Sequence, residues 1–210
     1  MVYELDVPLV LASSSPRRRE LLSLLGIPFE VIKPEIDEVP HPAETPPAFA
    51  ERVAEEKALW VRQRVGREPL VVAADTIVVL DDAILGKPAD ADEAAQMLAS
   101  LSGRSHEVMT GTCLVRHETL VTDVVVTEVQ FRELPRAEIE AYVQSGEPMD
   151  KAGAYGIQGA ACGMVRAIRG SYTNVVGFPL CEITEQLCVE FGGRPGRQSQ
   201  RSAETGLAGS

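Results

Sequence analysis

The sequence predicts an α/β protein, and three observations carry that prediction. Runs such as "PLVLASS" (residues 8–14) and "PLVVAADTIVVL" (69–80) are apolar without alternation, the pattern of strands buried on both faces. Two longer segments, roughly Ser105 to Val115 and Thr119 to Phe131, alternate and are joined at "RHE", as in an antiparallel pair. Between these lie segments whose apolar residues recur three and four apart, the period of a half-buried helix. Buried and alternating strands with interspersed helices define the class and leave the topology open.

Taken in order, "PLVLASS" reads as a first strand. "PRRRELLSLLG" follows as a helix with Ser15 as its cap, Pro16 in its first turn, Leu21, Leu22, Leu24 and Leu25 inward and Gly26 as its stop. "FEVI" is a second short strand. The prolines of "KPEIDEVPHPAETPP" forbid a long regular element. "PAFAERVAEEKALWVRQRV" is a helix with Phe49, Val53, Lys57 and Trp60 or Val61 on one face. "DADEAAQMLASLSG" is another, with Ala94, Met97, Leu98 and Leu101 inward. A helix begins at Pro135. "DKAGAYGIQG" is too glycine-rich for either class, "CGMVRAIRGSY" reads as a further hairpin, and "GFPLCEITEQLCVEF" is a last helix with Leu180, Ile183, Leu187 and Phe191 inward. The domain is expected over residues 1–191. Residues 192–210 lack any apolar period and are expected to be a disordered tail.

The 210 residues suit one domain or two small lobes sharing a core. With 45% hydrophobic but 5% aromatic residues, that core is aliphatic. The net charge of −11 argues against a general nucleic-acid binder and against docking on anionic membranes, and it makes any local basic cluster informative. No apolar run reaches transmembrane length, and the N-terminus lacks the basic region of a signal peptide. Cys113, Cys162, Cys181 and Cys188 form no C-x-x-C pair and read as buried free thiols in a reducing compartment. None of the three histidines is spaced with them as a zinc ligand.

Several residues do not suit their places. Asp75 lies within a buried strand, where an ionised carboxylate costs several kcal/mol unless it is paired or bound to metal. It is a candidate metal ligand or general base, or a satisfied buried group. Thr76 points to the opposite face of the same strand. Lys57 falls on an apolar helix face, as a snorkelling or a functional side chain. Lys87 follows a glycine at a strand end. "EIDE" offers Glu35, Asp37 and Glu38, hard oxygen ligands of the kind Mg²⁺ takes together with phosphate. Arg17, Arg18 and Arg19 crowd a helix N-terminus, where partial positive charge disfavours cations unless an anion sits among them. Forked guanidinium donors suit phosphate oxygens. The Walker pattern of P-loop enzymes is absent.

The ordered motifs "ASSSPRRRELL", "EIDE", "AEEKA", "AADTIVVL", "GKP", "LSGRSHEVMTG" and "SGEPMDKAGAYGIQG" resemble the Maf family of nucleoside triphosphate pyrophosphatases over most of Leu9 to Leu187. The resemblance implies a fold related to the inosine triphosphate pyrophosphatases, a bent mixed sheet with two lobes around a cleft. It implies a cytoplasmic, usually dimeric enzyme that uses Mg²⁺ or Mn²⁺ to cleave a nucleoside triphosphate between its α- and β-phosphates. Arginine after the Ser-Pro pair (Arg17), the Asp75-Thr76 pair and Gln158 mark the branch acting on dTTP and UTP. A glutamine amide can accept from uracil N3–H and donate to O4. By the same resemblance Arg17, Arg18, Lys57 and Lys87 hold the triphosphate, Glu38 and Asp75 hold the metal, Asp75 activates water, and Gln158, Thr76 and Arg17 set base preference. Arg19 is left to solvent. The competing expectation is a nucleotide-binding regulator of septum formation without turnover.

Overall fold

The computed structural model describes residues 2–196. Its strands are β1 (Tyr3–Glu4), β2 (Leu9–Ala12), β3 (Phe29–Ile32), β4 (Leu70–Leu80), β5 (Ala83–Leu85), β6 (Ser105–Arg116), β7 (Thr119–Phe131), β8 (Val165–Arg169) and β9 (Arg194–Pro195). Its α-helices are α1 (Pro16–Ser23), α2 (Pro46–Val65), α3 (Ala91–Leu101), α4 (Arg136–Gln144), α5 (Tyr172–Val176) and α6 (Leu180–Phe191). The main sheet runs β3-β2-β4-β6-β7-β8, with β5 beside the end of β4. β2 is parallel to β3 and β4, and the remaining pairs are antiparallel, so the sheet is mixed. No helix among the described residues is long and apolar enough to cross a membrane.

The period of two along β4 sorts the core. Val71 and Ala73 pack with Ala54, Ala58 and Val61 of α2, and Ile77 and Val79 on the same face pack with Phe49, Ala50 and Val53. The other face is shared. Leu70, Val72 and Ala74 lie under α1 and α6, whereas Val78 and Leu80 lie under α3 and α4. One helix thus covers one face of a long strand, and two separate groups of helices cover the other. Asp75 and Thr76 fall where those groups part.

Several elements differ from the sequence reading. Leu24 is 62% exposed, because α1 ends at Ser23 and Gly26, at φ 71°, turns the chain away. Val61, not Trp60, is the buried residue of its turn, and the Trp60 ring carries the Arg64 guanidinium instead. β5 was not anticipated: Asp81 and Asp82 both take left-handed backbone and close a two-residue hairpin without the usual glycine. "CGMVRAIRGSY" is not a hairpin. It supplies the single strand β8, after which Gly170 (φ 130°) turns the chain into α5, capped by Ser171. Of the cysteines only Cys113 is buried, where desolvation pushes its thiol up to about 12; Cys162 and Cys181 are exposed. Residues 192–196, assigned to the tail, instead include β9, which pairs with β1. The rest of the expected tail, 197–210, lies outside the described residues.

Candidate active site

Asp75 owes its surroundings to a glycine. It is paired across the sheet with Gly111 of β6, where a Cβ would come within 2.1 Å of the Ala50 carbonyl oxygen. The missing side chain lets α2 lie against the sheet, and seven residues further along α2 Lys57 reaches the strand. Its ammonium donates to Asp75 Oδ1 at 2.6 Å and lies 2.8 Å from Glu38 Oε1. Lys57 and Asp75 are both 5% exposed, so the inward lysine is no snorkelling side chain but half of a buried ion pair. Glu38 joins the pair from the irregular segment between β3 and α2.

Thr76, one residue on, faces the other way. Arg18 Nη2 donates to Thr76 Oγ1 at 3.1 Å, and Arg18 Nε donates to the Gly177 carbonyl at 2.8 Å. Thr76 Oγ1 also lies 3.0 Å from Thr110 Oγ1, and Thr110 bonds the Asn174 carbonyl. Asn174 is fully buried and donates to Val108 O and Thr127 Oγ1, fixing α5 and therefore Gly177. Arg18 is thus oriented by neutral acceptors. Burial pulls its guanidinium down from the ordinary arginine range, Asp75 and Glu38 oppose that, and Arg17 adds to it. The Ser15 hydroxyl caps α1 by accepting from Arg18 N, so the helix start that carries the arginines is itself fixed.

The glycines of "DKAGAYGIQG" allow close approaches within the protein. A Cβ on Gly153 would strike Val78, one on Gly156 the Lys151 stem, and one on Gly159 the Glu147 carboxylate. These glycines make room for the protein's own side chains. Glu147 accepts from Tyr142 Oη and from Ala160 N, and Lys151 bonds the Glu147 carbonyl and Asp150 Oδ1. Burial works to raise Asp150, but the Lys151 bond and the nearby Arg17 outweigh it and hold the carboxyl below its usual range. Arg17 lies 3.5 Å from Asp150.

Of the side chains singled out from the sequence, Arg17, Arg18, Glu38, Lys57, Asp75, Thr76, Lys87 and Gln158 line one cleft of about 900 Å³, as does Glu35, whereas Asp37 does not. Arg19 does not line it and is exposed. Sequence reasoning missed Lys33, Glu147, Asp150, Lys151 and Tyr155, which line it too. The available signal is "EPMDK", an acid and a base four residues apart, just upstream of Gln158. Among the described residues Lys33 and Lys87 make no ion pair, and Gln158 makes no hydrogen bond. No three His, Cys, Asp or Glu side chains gather into a metal cluster there. Glu38 and Asp75 nonetheless suit Mg²⁺ or Mn²⁺: Lys57 engages one oxygen of each, and such ions complete their shells with water and phosphate.

A family model described as Maf-like protein matches residues 8–189. The chain belongs to the Maf family. Its Maf relatives include proteins named dTTP/UTP pyrophosphatase. That of Yersinia pestis is 50% identical over 85% of this chain and 91% of its own length. That of Symbiobacterium thermophilum is 52% identical over 88% and 94%, and that of Geobacter sulfurreducens 53% identical over 85% and 94%. A solved dITP/XTP pyrophosphatase of Mycobacterium abscessus superposes with a TM-score of 0.44 at 22% identity, covering 61% of this chain and 76% of that one.

Proposed function

We propose that this Maf protein hydrolyses dTTP and UTP to the nucleoside monophosphate and pyrophosphate. The observation that carries the reading is the convergence in one cleft of Arg17 and Arg18 from α1, Lys57 from α2 and Lys87 from the segment after β5, with the buried Asp75 lining the same cleft. The names of relatives about half identical over most of both chains agree with it.

The triphosphate lies among Arg17, Arg18, Lys57 and Lys87. Arg18 is held ready by Thr76 and Gly177, so its forked donors meet phosphate oxygens with little reorganisation. Glu38 and Asp75 would hold Mg²⁺ or Mn²⁺, which would offset phosphate charge and lower the pKa of a water. Asp75 takes the proton of the attacking water through whichever carboxylate oxygen Lys57 leaves free. Gln158 reads the uracil or thymine edge from the cleft wall, and Thr76 and Arg17 fix the orientation of the nucleotide. The enzyme works in the cytoplasm as a homodimer.

Product analysis with UTP, dTTP, 7-methyl-GTP and ATP, each with and without Mg²⁺, tests the reading. It expects pyrophosphate from UTP and dTTP, dependent on the cation. Orthophosphate as the product would refute the cleavage site, equal rates on all four would refute the branch, and nucleotide binding without turnover would favour a regulator.

A further inference from the structure

The place between Glu38 and Asp75 is already held by a cation of the protein's own. Lys57 Nζ lies 2.8 Å from Glu38 Oε1 and 2.6 Å from Asp75 Oδ1. Those are the two carboxylates assigned above to the divalent cation, and the present inference rests on that reading. Lys57 leaves one oxygen of each carboxylate free, but a divalent cation bound there lies beside the buried ammonium and repels it, so the two cations compete for the pair's charge. Taking a carboxylate away from Lys57 strands a charge where the lysine side chain is 6% exposed, which is costly unless another anion replaces it. The triphosphate is such an anion. The two carboxylates differ in how easily they let go. The Glu38 side chain is 46% exposed and water can re-solvate it, whereas the Asp75 side chain is 7% exposed.

We propose that Lys57 is a resident counter-ion of the carboxylate pair. It keeps Glu38 and Asp75 assembled before nucleotide binds and holds their affinity for a divalent cation low. It releases Glu38 first and passes to the triphosphate when the nucleotide enters. Metal uptake is thereby tied to substrate uptake.

The test is Mn²⁺ binding without nucleotide, read from the electron paramagnetic resonance of the free ion. It compares the unaltered protein, Lys57→Met and the double variant Lys57→Met with Asp75→Asn. Lys57→Met is expected to bind Mn²⁺ at least about tenfold more tightly than the unaltered protein, and the double variant to lose that gain. A folded Lys57→Met protein, by circular dichroism and melting, that binds no more tightly would overturn the proposal. Absence of Mn²⁺ binding to all three would remove the metal reading itself, and the proposal with it. Lysine-selective ¹⁵N NMR reads the same exchange without a substitution. The Lys57 ammonium signal is expected to stay in place with Mg²⁺ alone and to shift when Mg²⁺ and a non-hydrolysable UTP analogue are added together. An equal shift with Mg²⁺ alone would contradict the proposal.

Discussion

On one face of β4 Asp75 holds a cation as an ion-pair partner, and on the other Thr76 holds one as a neutral acceptor. Around Asp75, one lysine is shared by two carboxylates within 2.8 Å, so the cation there is neutralised before any ligand arrives. Around Thr76, a guanidinium is fixed by a hydroxyl and a carbonyl, and Arg18 makes no ion pair among the described residues. Both cations read from the sequence as equivalent phosphate holders. The structure separates them: Arg18 is fixed by neutral acceptors, whereas Lys57 is already paired with Glu38 and Asp75. On the proposed function, the carboxylate face serves the chemical step and the hydroxyl face holds the substrate.

The largest effect that would break this contrast comes from Asp75→Asn. The amide keeps the shape but cannot accept the proton, so kcat for UTP should fall by about 10³-fold, the scale of a lost general base, with the fold intact. A soluble Asp75→Asn enzyme of normal kcat would end the assignment. Next comes the scaffold of the same face. Gly111→Ala places a methyl against Ala50 O and should cost about 1–3 kcal/mol in denaturant unfolding, as overpacked sites do. It should also disturb Lys57 through α2, and an unchanged unfolding midpoint would contradict the close-approach argument.

The opposite face should respond more mildly. Thr76→Val leaves Arg18 Nη2 and Thr110 Oγ1 short of a partner. At roughly 1.4 kcal/mol for a lost hydrogen-bond partner, KM should rise about tenfold with kcat little changed. A fall in kcat alone would mean that Thr76 acts in the chemical step. Smallest of all is Arg19→Ala, which should leave kcat/KM within about twofold and stability within about 0.5 kcal/mol, as exposed substitutions do. A tenfold loss would place Arg19 beside Arg17 and Arg18 in the site.

The contrast between the faces was half legible in the sequence. Period two put Asp75 and Thr76 on opposite faces, and the helical period put Lys57 on the buried face of α2, because both follow from local geometry. That Lys57 meets Asp75 depends on a helix crossing a sheet at Gly111, a contact between segments far apart in the chain that no local pattern encodes. The glycines of "DKAGAYGIQG" were uninformative for a related reason. Density of glycine signals close approach without saying to what, and here the neighbours are Val78, Lys151 and Glu147. β5 was missed because Asp81-Asp82 lacks the glycine or asparagine that usually announces such a turn. Most candidate residues stood out as unsuited to their places, the resemblance to Maf proteins added Gln158 and the roles, and the structure supplies the partners on each face.

The most direct measurement sets binding against turnover in Asp75→Asn and Thr76→Val, with a non-hydrolysable UTP analogue in calorimetry and UTP in a pyrophosphate-release assay. The account predicts that Asp75→Asn, measured without divalent cation, binds the analogue about as tightly as the unaltered protein and, with Mg²⁺ at saturation, releases pyrophosphate about 10³-fold more slowly. It predicts that Thr76→Val binds more weakly and still turns over at saturation. If the two variants lose binding and turnover together, the two faces of β4 do not divide the work and the account is wrong.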